Sequence, residues 1–178
     1  MQQAEATAAS YFWADGLLAQ NYYLCSHRYR KMNKIKRYMN NNEMKDIQYK
    51  TTKDFSEIEL KNLFLSVNWS SGNYPGKLLI AMKNSSSVFT AWDGEKLVGL
   101  INVLDDGIMT AYIHYLLIVP EYQHIGIGER LVKMVSEKYT DYLRIILIAY
   151  DKEIGFYKHC GFEVGEEKTP MFITTLWT

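Results

Sequence analysis

Only two cysteines, Cys25 and Cys160, occur among 178 residues, too few for a disulfide framework or a cysteine-built zinc cluster; free thiols in a reducing, cytoplasmic setting are expected. No run of about 18 apolar residues is present, which excludes a membrane-spanning helix. Met1 to Gln20 lack the basic start and long apolar stretch of a secretory signal, with Glu5 and Asp15 where such a signal would not have them, so export is not expected. An excess of charge of either sign is also missing. Twenty basic and twenty acidic side chains cancel, with a pI near 6.9. That removes the whole-molecule field that would grip a polyanion, so nucleic acid is not the expected partner. The histidines His27, His114, His124 and His159 show no metal-ligand spacing, and no metal is expected. What is present is the material of one ordinary domain, 48% apolar and 22% charged, enough to bury a core.

The first 45 residues differ from the rest. They are Ala-rich and aromatic, then basic through Arg28, Arg30, Lys31, Lys34, Lys36 and Arg37, then polar at Asn40, Asn41 and Asn42. They read as an appendage, 1–45, either a flexible arm or, because Met32, Met39 and Met44 are alternative starts, partly foreign to the natural protein. A short basic run is most simply a solvated face.

From residue 46 to 178 the pattern is regular. Ile47 to Thr51 alternates as a half-buried strand. Asp54 and Glu57 have capping-box spacing before a helix carrying Ile58, Leu60, Leu63, Phe64 and Val67. A polar break at Asn68 to Gly76 contains Trp69 and Tyr74, and a second helix runs from Pro75 to about Asn84. Asp93-Gly94 and Asp105-Asp106-Gly107 then divide three apolar runs into a meander of strands. A helix starts at Gly126 with Ile127, Leu131, Val132, Val135 and Tyr139 on one face. The run Arg144 to Ala149 predicts a strand covered on both faces. A short helix over Ile154 to His159, a stop at Gly161 and a final strand pair ending at Trp177 complete the chain.

The segment from Leu116 to Val132 carries the chemistry. It predicts a strand, a tight turn and a helix start, with Gly126 and Gly128 at the junction. Glycines there let backbone approach a ligand closely, and the unpaired N–H groups of a first helical turn suit a phosphate or pyrophosphate. The spacing is neither a dinucleotide fingerprint, since Leu131 holds the third glycine position, nor a P-loop, since no Gly-Lys-Ser/Thr follows. Taken alone, the pair also fits a turn that binds nothing.

The full pattern Pro120-x-x-Gln123-x-x-Gly126-x-Gly128, followed about thirty residues later by Phe156-Tyr157-Lys158-His159-Cys160-Gly161-Phe162, resembles the GNAT acetyltransferase superfamily over about Ile47 to Thr178. The resemblance implies an α/β (α+β) fold with a mixed, mostly antiparallel sheet whose central strands splay. It further implies acetyl-CoA as co-substrate in that cleft and transfer of the acetyl group to a primary amine. Carried over by position, Gln123, His124, Ile125, Gly126, Ile127, Gly128 and Glu129 would hold the pyrophosphate by backbone N–H groups. Leu116, Ile118 and Val119 would bond the pantetheine as an added strand, and Phe156 would line the cofactor site. Tyr157 takes the role of the acid that protonates the departing thiolate. Tyr150 stands where the family often has Asn, which leaves that cofactor contact open. Cys160 sits where the motif usually has an apolar residue and reads as a small hydrophobe.

His114, four residues before Ile118, fits either a base that takes the amine proton or a structural histidine beside Tyr112 and Tyr115. Trp69 and Tyr74 are candidate walls of the substrate pocket, a pocket for a small-molecule or protein amine acceptor. The alternative to an enzyme is a regulatory domain of the same fold that binds acetyl-CoA without turnover. By analogy with the family a homodimer is also open.

Overall fold

The computed structural model describes residues 46–174 and Leu176; the appendage 1–45 lies outside the described residues. The order is β1 (Ile47–Thr51), α1 (Glu57–Ser66), a 3-10 turn (Ser70–Asn73), α2 (Pro75–Asn84), β2 (Ser87–Asp93), β3 (Lys96–Asp105) and β4 (Thr110–Ile118). A 3-10 turn (Pro120–Tyr122), α3 (Ile127–Lys138), β5 (Arg144–Leu147), a third 3-10 turn (Asp151–Glu153) and α4 (Ile154–His159) follow. The five strands form one sheet in chain order. Neighbours from β1 to β4 run antiparallel, and β5 joins β4 in parallel. The fold is the mixed α/β, mostly antiparallel architecture that the motifs imply.

The meander follows from its turns. Asp93 pairs with Lys96 across the loop Gly94-Glu95, and Gly94 takes φ +58, a conformation glycine adopts without a Cβ clash. At the next turn Asp106 Oδ1 accepts the N–H groups of Ile108, Met109 and Thr110 at 3.1, 2.7 and 3.0 Å. Those three donors hold its carboxyl down to about 2, so Asp106 is the turn residue its position predicts.

Strands β2 and β3 are buried almost throughout, because helices cover both faces of the sheet. The Phe64 ring of α1 meets Tyr115 on β4. Ile127 of α3 lies over Gly99 on β3, where an added Cβ would stand 3.2 Å from its methyl. Tyr115 pairs with Asn102 and Ile118 with Gly99, and positions 99 and 102 point to opposite sides of β3. The helices α1 and α3 are therefore on opposite faces. The α1 face contributes Leu60, Leu63 and Phe64, joined by Leu78 and Met82 of α2; the α3 face contributes Ile127, Leu131, Val132 and Val135.

Three expectations are corrected. The capping box of α1 is Ser56 with Glu59, not Asp54 with Glu57: Ser56 Oγ accepts the Glu59 N–H at 3.2 Å and Glu59 Oε2 accepts the Ser56 N–H at 2.7 Å. Phe55, just before the cap, is buried in the same core as Leu60, a hydrophobic staple that sets where the helix begins. β5 spans only Arg144–Leu147 with alternating exposure, and Ile146 is 44% exposed. A consecutive apolar run does not distinguish a strand covered on both faces from one covered on a single face. Finally, no strand follows β5 among the described residues. Val164, Met171, Phe172 and Ile173 are all exposed, so this segment has no buried face to support pairing.

Candidate active site

The site grows from an irregularity in β4. Its register with β3 runs evenly from Ile118 opposite Gly99 to Tyr115 opposite Asn102, then resumes at Ile113 opposite Val103. His114 is the extra residue of a β-bulge. Successive strand side chains normally point to opposite faces, yet here the rings of His114 and Tyr115 stack, 3.9 Å between centroids and 25° between planes. Tyr112 stacks on the other side of His114 at 5.8 Å. A bulge bends its strand and increases local twist, and pairing with β5 stops here, Ile113 opposite Leu147 being its last pair. Beyond His114, β4 therefore runs on with an open side.

The backbone of that open stretch is set by ladder alternation. Val119 donates its N–H to Val98 O at 2.9 Å, so of the main-chain groups expected to meet pantetheine at Val119 its N–H is engaged with β3. By the alternation of an antiparallel pair, the main-chain groups of Leu116 and Ile118 face away from β3, toward the side that β5 has vacated. Ile118 O already accepts Gln123 Nε2 at 3.0 Å, which ties the following turn to the strand. Gln123 thus acts through its side chain as well as its backbone.

That turn delivers the helix start. His124 and Gly126 both take positive φ, +66 and +90, and Gly126 is the N-cap of α3 with no side chain capping the first turn. The N–H groups of Ile127, Gly128 and Glu129 are left to the outside, while the Ile127 side chain is buried. A Cβ built on Gly126 would meet nothing within 4 Å, so the space in front of this turn is open to a ligand. Gly128 has a different reason. A Cβ there would lie 3.2 Å from Phe156 Cζ, so this glycine lets α4 press against the first turn of α3. His159 Nε2 stands 3.9 Å from Glu129 Oε1 across the same junction.

Tyr157 is brought in by that packing. Its ring sits edge-on to Phe156 at 5.0 Å and to Phe162 at 5.9 Å, and Phe162 N–H bonds back to Tyr157 O at 3.0 Å past Gly161, whose φ is +94. Burial first, then the negative potential of Glu153 and Cys160, pushes the Tyr157 phenol up to about 12. Its Cys160 neighbour is partly buried against the core, and burial likewise pushes that thiol up. His114 is exposed as a residue, yet its imidazole, stacked on Tyr112 and Tyr115, is partly desolvated, which pushes its pKa down.

Of the two expected acceptor walls, the structure brings in one. Trp69 packs edge-on to Tyr115 at 5.1 Å, and Ser71 hydrogen-bonds the Tyr115 phenol, so the loop between α1 and α2 closes over the bulge. Tyr74 is 48% exposed and holds the Lys77 ammonium 5.2 Å from its ring; it caps α2 and joins none of the rings around His114. Tyr150 precedes the 3-10 turn before α4 and is 47% exposed. The sequence reading missed Asn102. Its signal was one polar residue inside Leu100-Ile101-Asn102-Val103-Leu104.

The sheet is thus notched between β4 and β5, and the open stretch of β4 leads into a turn and an uncapped helix start. Residues 74–171 match the family described as acetyltransferase (GNAT) domain, and the chain belongs to the GNAT acetyltransferase family. It is 30% identical over 126 residues, 67% of this chain and 72% of the relative, to the uncharacterized N-acetyltransferase ycf52 of the alga Pyropia yezoensis. It is 27% identical to GCN5-related N-acetyltransferase 2, chloroplastic, of Arabidopsis thaliana, over 75% of this chain and 60% of that one. Among solved structures it superimposes on a GNAT family acetyltransferase of Streptococcus pneumoniae with a TM-score of 0.64 and 27% identity, covering 72% of this chain and 98% of that one. The chain is an N-acetyltransferase. No helix among the described residues is long and apolar enough to cross a membrane.

Proposed function

We propose that this N-acetyltransferase moves the acetyl group of acetyl-CoA to a primary amine by direct attack of the amine on the thioester. The observation that carries the reading is that β4 leaves its β5 pairing at the His114 bulge and runs on, open-sided, to Ile118, where the turn leading to Gly126 is tied to it. The residues present fit acetyl-CoA, a thioester carried on a chain with two amides and a pyrophosphate. Leu116 and Ile118 offer main-chain groups to the amides, and the N–H groups of Ile127, Gly128 and Glu129 suit the pyrophosphate. The Glu129 carboxylate beside that anion stands 3.9 Å from His159 Nε2.

In the reaction a C–N bond forms, the C–S bond breaks, and the ammonium loses two protons, one to His114 before attack and one from the adduct nitrogen to the Tyr157 phenolate left when its proton goes to the sulfur. A primary amine near pKa 10.4 is protonated at neutral pH, and removing its proton costs about 4.6 kcal/mol at pH 7. His114 takes that proton: desolvation lowers its pKa, so the imidazole is neutral, and able to accept, from alkaline pH down to below its ordinary range. Tyr157 donates to the sulfur as the thiolate leaves. The phenol stays protonated across the working range, and the apolar surroundings that hold its proton also raise the basicity of a thiolate formed beside it. Trp69 and Tyr115 wall the acceptor side. Acceptors are small-molecule or protein amines, and the site lies in a compartment the relatives leave open, two of them being named chloroplastic.

The test is calorimetric titration with acetyl-CoA, then free-thiol release in the same sample on adding polyamines, arylalkylamines, aminoglycosides and lysine peptides at pH 5 to 10. Binding with amine-dependent release is expected, and His114→Ala should lose activity at neutral pH but regain it as pH approaches the amine pKa. An equal loss at every pH would make His114 structural. Binding without release from any amine would make the chain a regulatory acetyl-CoA-binding domain, and no binding would remove the Gly126 turn from the site.

A further inference from the structure

Asn102 lies in the middle of β3 and is 1% exposed. An apolar residue there would suit a strand covered on both faces, and burying an amide costs free energy unless its groups are bonded. Each end of this amide has a partner. Oδ1 accepts the N–H of Tyr115 at 3.0 Å, and Nδ2 donates to Ser85 Oγ at 2.9 Å. Ser85, equally buried and at the C-cap of α2, passes its own proton to Ala81 O at 2.8 Å. A line of hydrogen bonds thus runs from the end of α2 through β3 to the backbone of β4, and it meets β4 where the register slips.

The amide of Tyr115 explains why. Opposite pairs on β3 and β4 alternate, and Tyr115 shares the phase of Val119, whose N–H bonds a β3 carbonyl. At the bulge beside His114 the Asn102 side chain accepts the Tyr115 N–H at 3.0 Å, a bond a regular ladder would not need. Removing that acceptor takes away a bond that holds the part-buried Tyr115 N–H at the bulge, which favours a regular register. In a regular register His114 and Tyr115 would point to opposite faces.

Resting on the enzyme reading above, we propose that Asn102, held by Ser85, is a positioning residue for catalysis. It fixes the β4 bulge that stacks His114 on Tyr115 and ends the pairing with β5, so that base, acceptor wall and cleft mouth share one place.

The test uses the full chain and Asn102→Ala, with Ser85→Ala as a milder companion that keeps the amide but removes its anchor. Hydrogen exchange followed by NMR reads the Tyr115 amide. In Asn102→Ala it should exchange at least about tenfold faster while that of Leu117, bonded to β3, keeps its rate. Acetyl-CoA titration counts folded sites, so that turnover is read per binding site whatever the change in Kd. Turnover per binding site should fall about tenfold to a hundredfold, as for a reacting group displaced by about 1 Å. Ser85→Ala should shift both readouts in the same direction by less. Unchanged turnover per site with a lowered melting temperature would overturn the proposal by making Asn102 a stability residue, and so would an unchanged Tyr115 exchange rate. If Asn102→Ala fails to fold, Ser85→Ala decides on the same two readouts. A wild-type chain that releases no thiol with any amine defeats the enzyme reading, whereas a wild type that turns over beside an unaffected variant defeats only this one.

Discussion

The Tyr157 phenol holds its proton to about 12 because burial and the nearby negative potential of Glu153 and Cys160 both oppose a phenolate. Its ring is fixed between Phe156 and Phe162, so removing the hydroxyl leaves the packing in place. Tyr157→Phe should therefore keep acetyl-CoA affinity and melting temperature while turnover falls by about 10²- to 10³-fold, within the range for loss of a general acid. The sign of its pH dependence follows. A raised pKa means that the acid is present below about 12, so the wild type should show no alkaline limb from this group below pH 11, and steady-state rates to pH 10.5 check it. A limb centred near 10 in the wild type, absent from the Phe variant, would contradict the burial argument. At this scale the motif in the sequence singled out Tyr157 as the candidate acid. It did not reveal Asn102 or the bulge at His114, because a bulge is a relation between two strands, and nothing in Tyr112-Ile113-His114-Tyr115 states which residue of β3 each will face.

Among elements, the strand–turn–helix unit from β4 to α3 is the part most plainly written in the chain, through proline, glutamine and two glycines at fixed spacing. The glycines proved to have separate duties, one keeping space open and one admitting Phe156. That difference separates two substitutions. Gly126→Asp places its side chain in open space at φ +90, so the fold loses about 1–2 kcal/mol from the left-handed backbone, while the added carboxylate stands before the N–H groups proposed to hold the pyrophosphate. Acetyl-CoA binding should fall at least about a hundredfold with the chain still folded; calorimetry and a thermal melt read the two effects apart, and retained affinity would move the phosphate site elsewhere. Elements supported by local signals were legible to within a residue or two, such as α2 with its first-turn proline. Those whose limits depend on packing were not: the α1 cap moved to Ser56 because Phe55 is drawn into the core, and β5 is short because β4 bends away from it at the bulge.

Among the described residues, every member of the buried core lies between Phe55 and Tyr139, and every group assigned to the site lies between Trp69 and Phe162. Hydrophobic burial is the main stabilising term of a domain of this size, so a chain beginning at Asp46 carries the core and the site together. It should bind acetyl-CoA with a Kd within about threefold of the full chain and melt within a few degrees of it, since a change of 1 kcal/mol moves the midpoint by about 4 °C here. The basic run from Arg28 to Arg37 gives the comparison a second arm. If that segment serves delivery to an anionic partner, removing it should change salt-dependent binding to polyanions and leave turnover of a small amine untouched. Equal loss of affinity and melting temperature on truncation would instead make residues 1–45 part of the folded unit, and the boundary drawn from composition would fall with it.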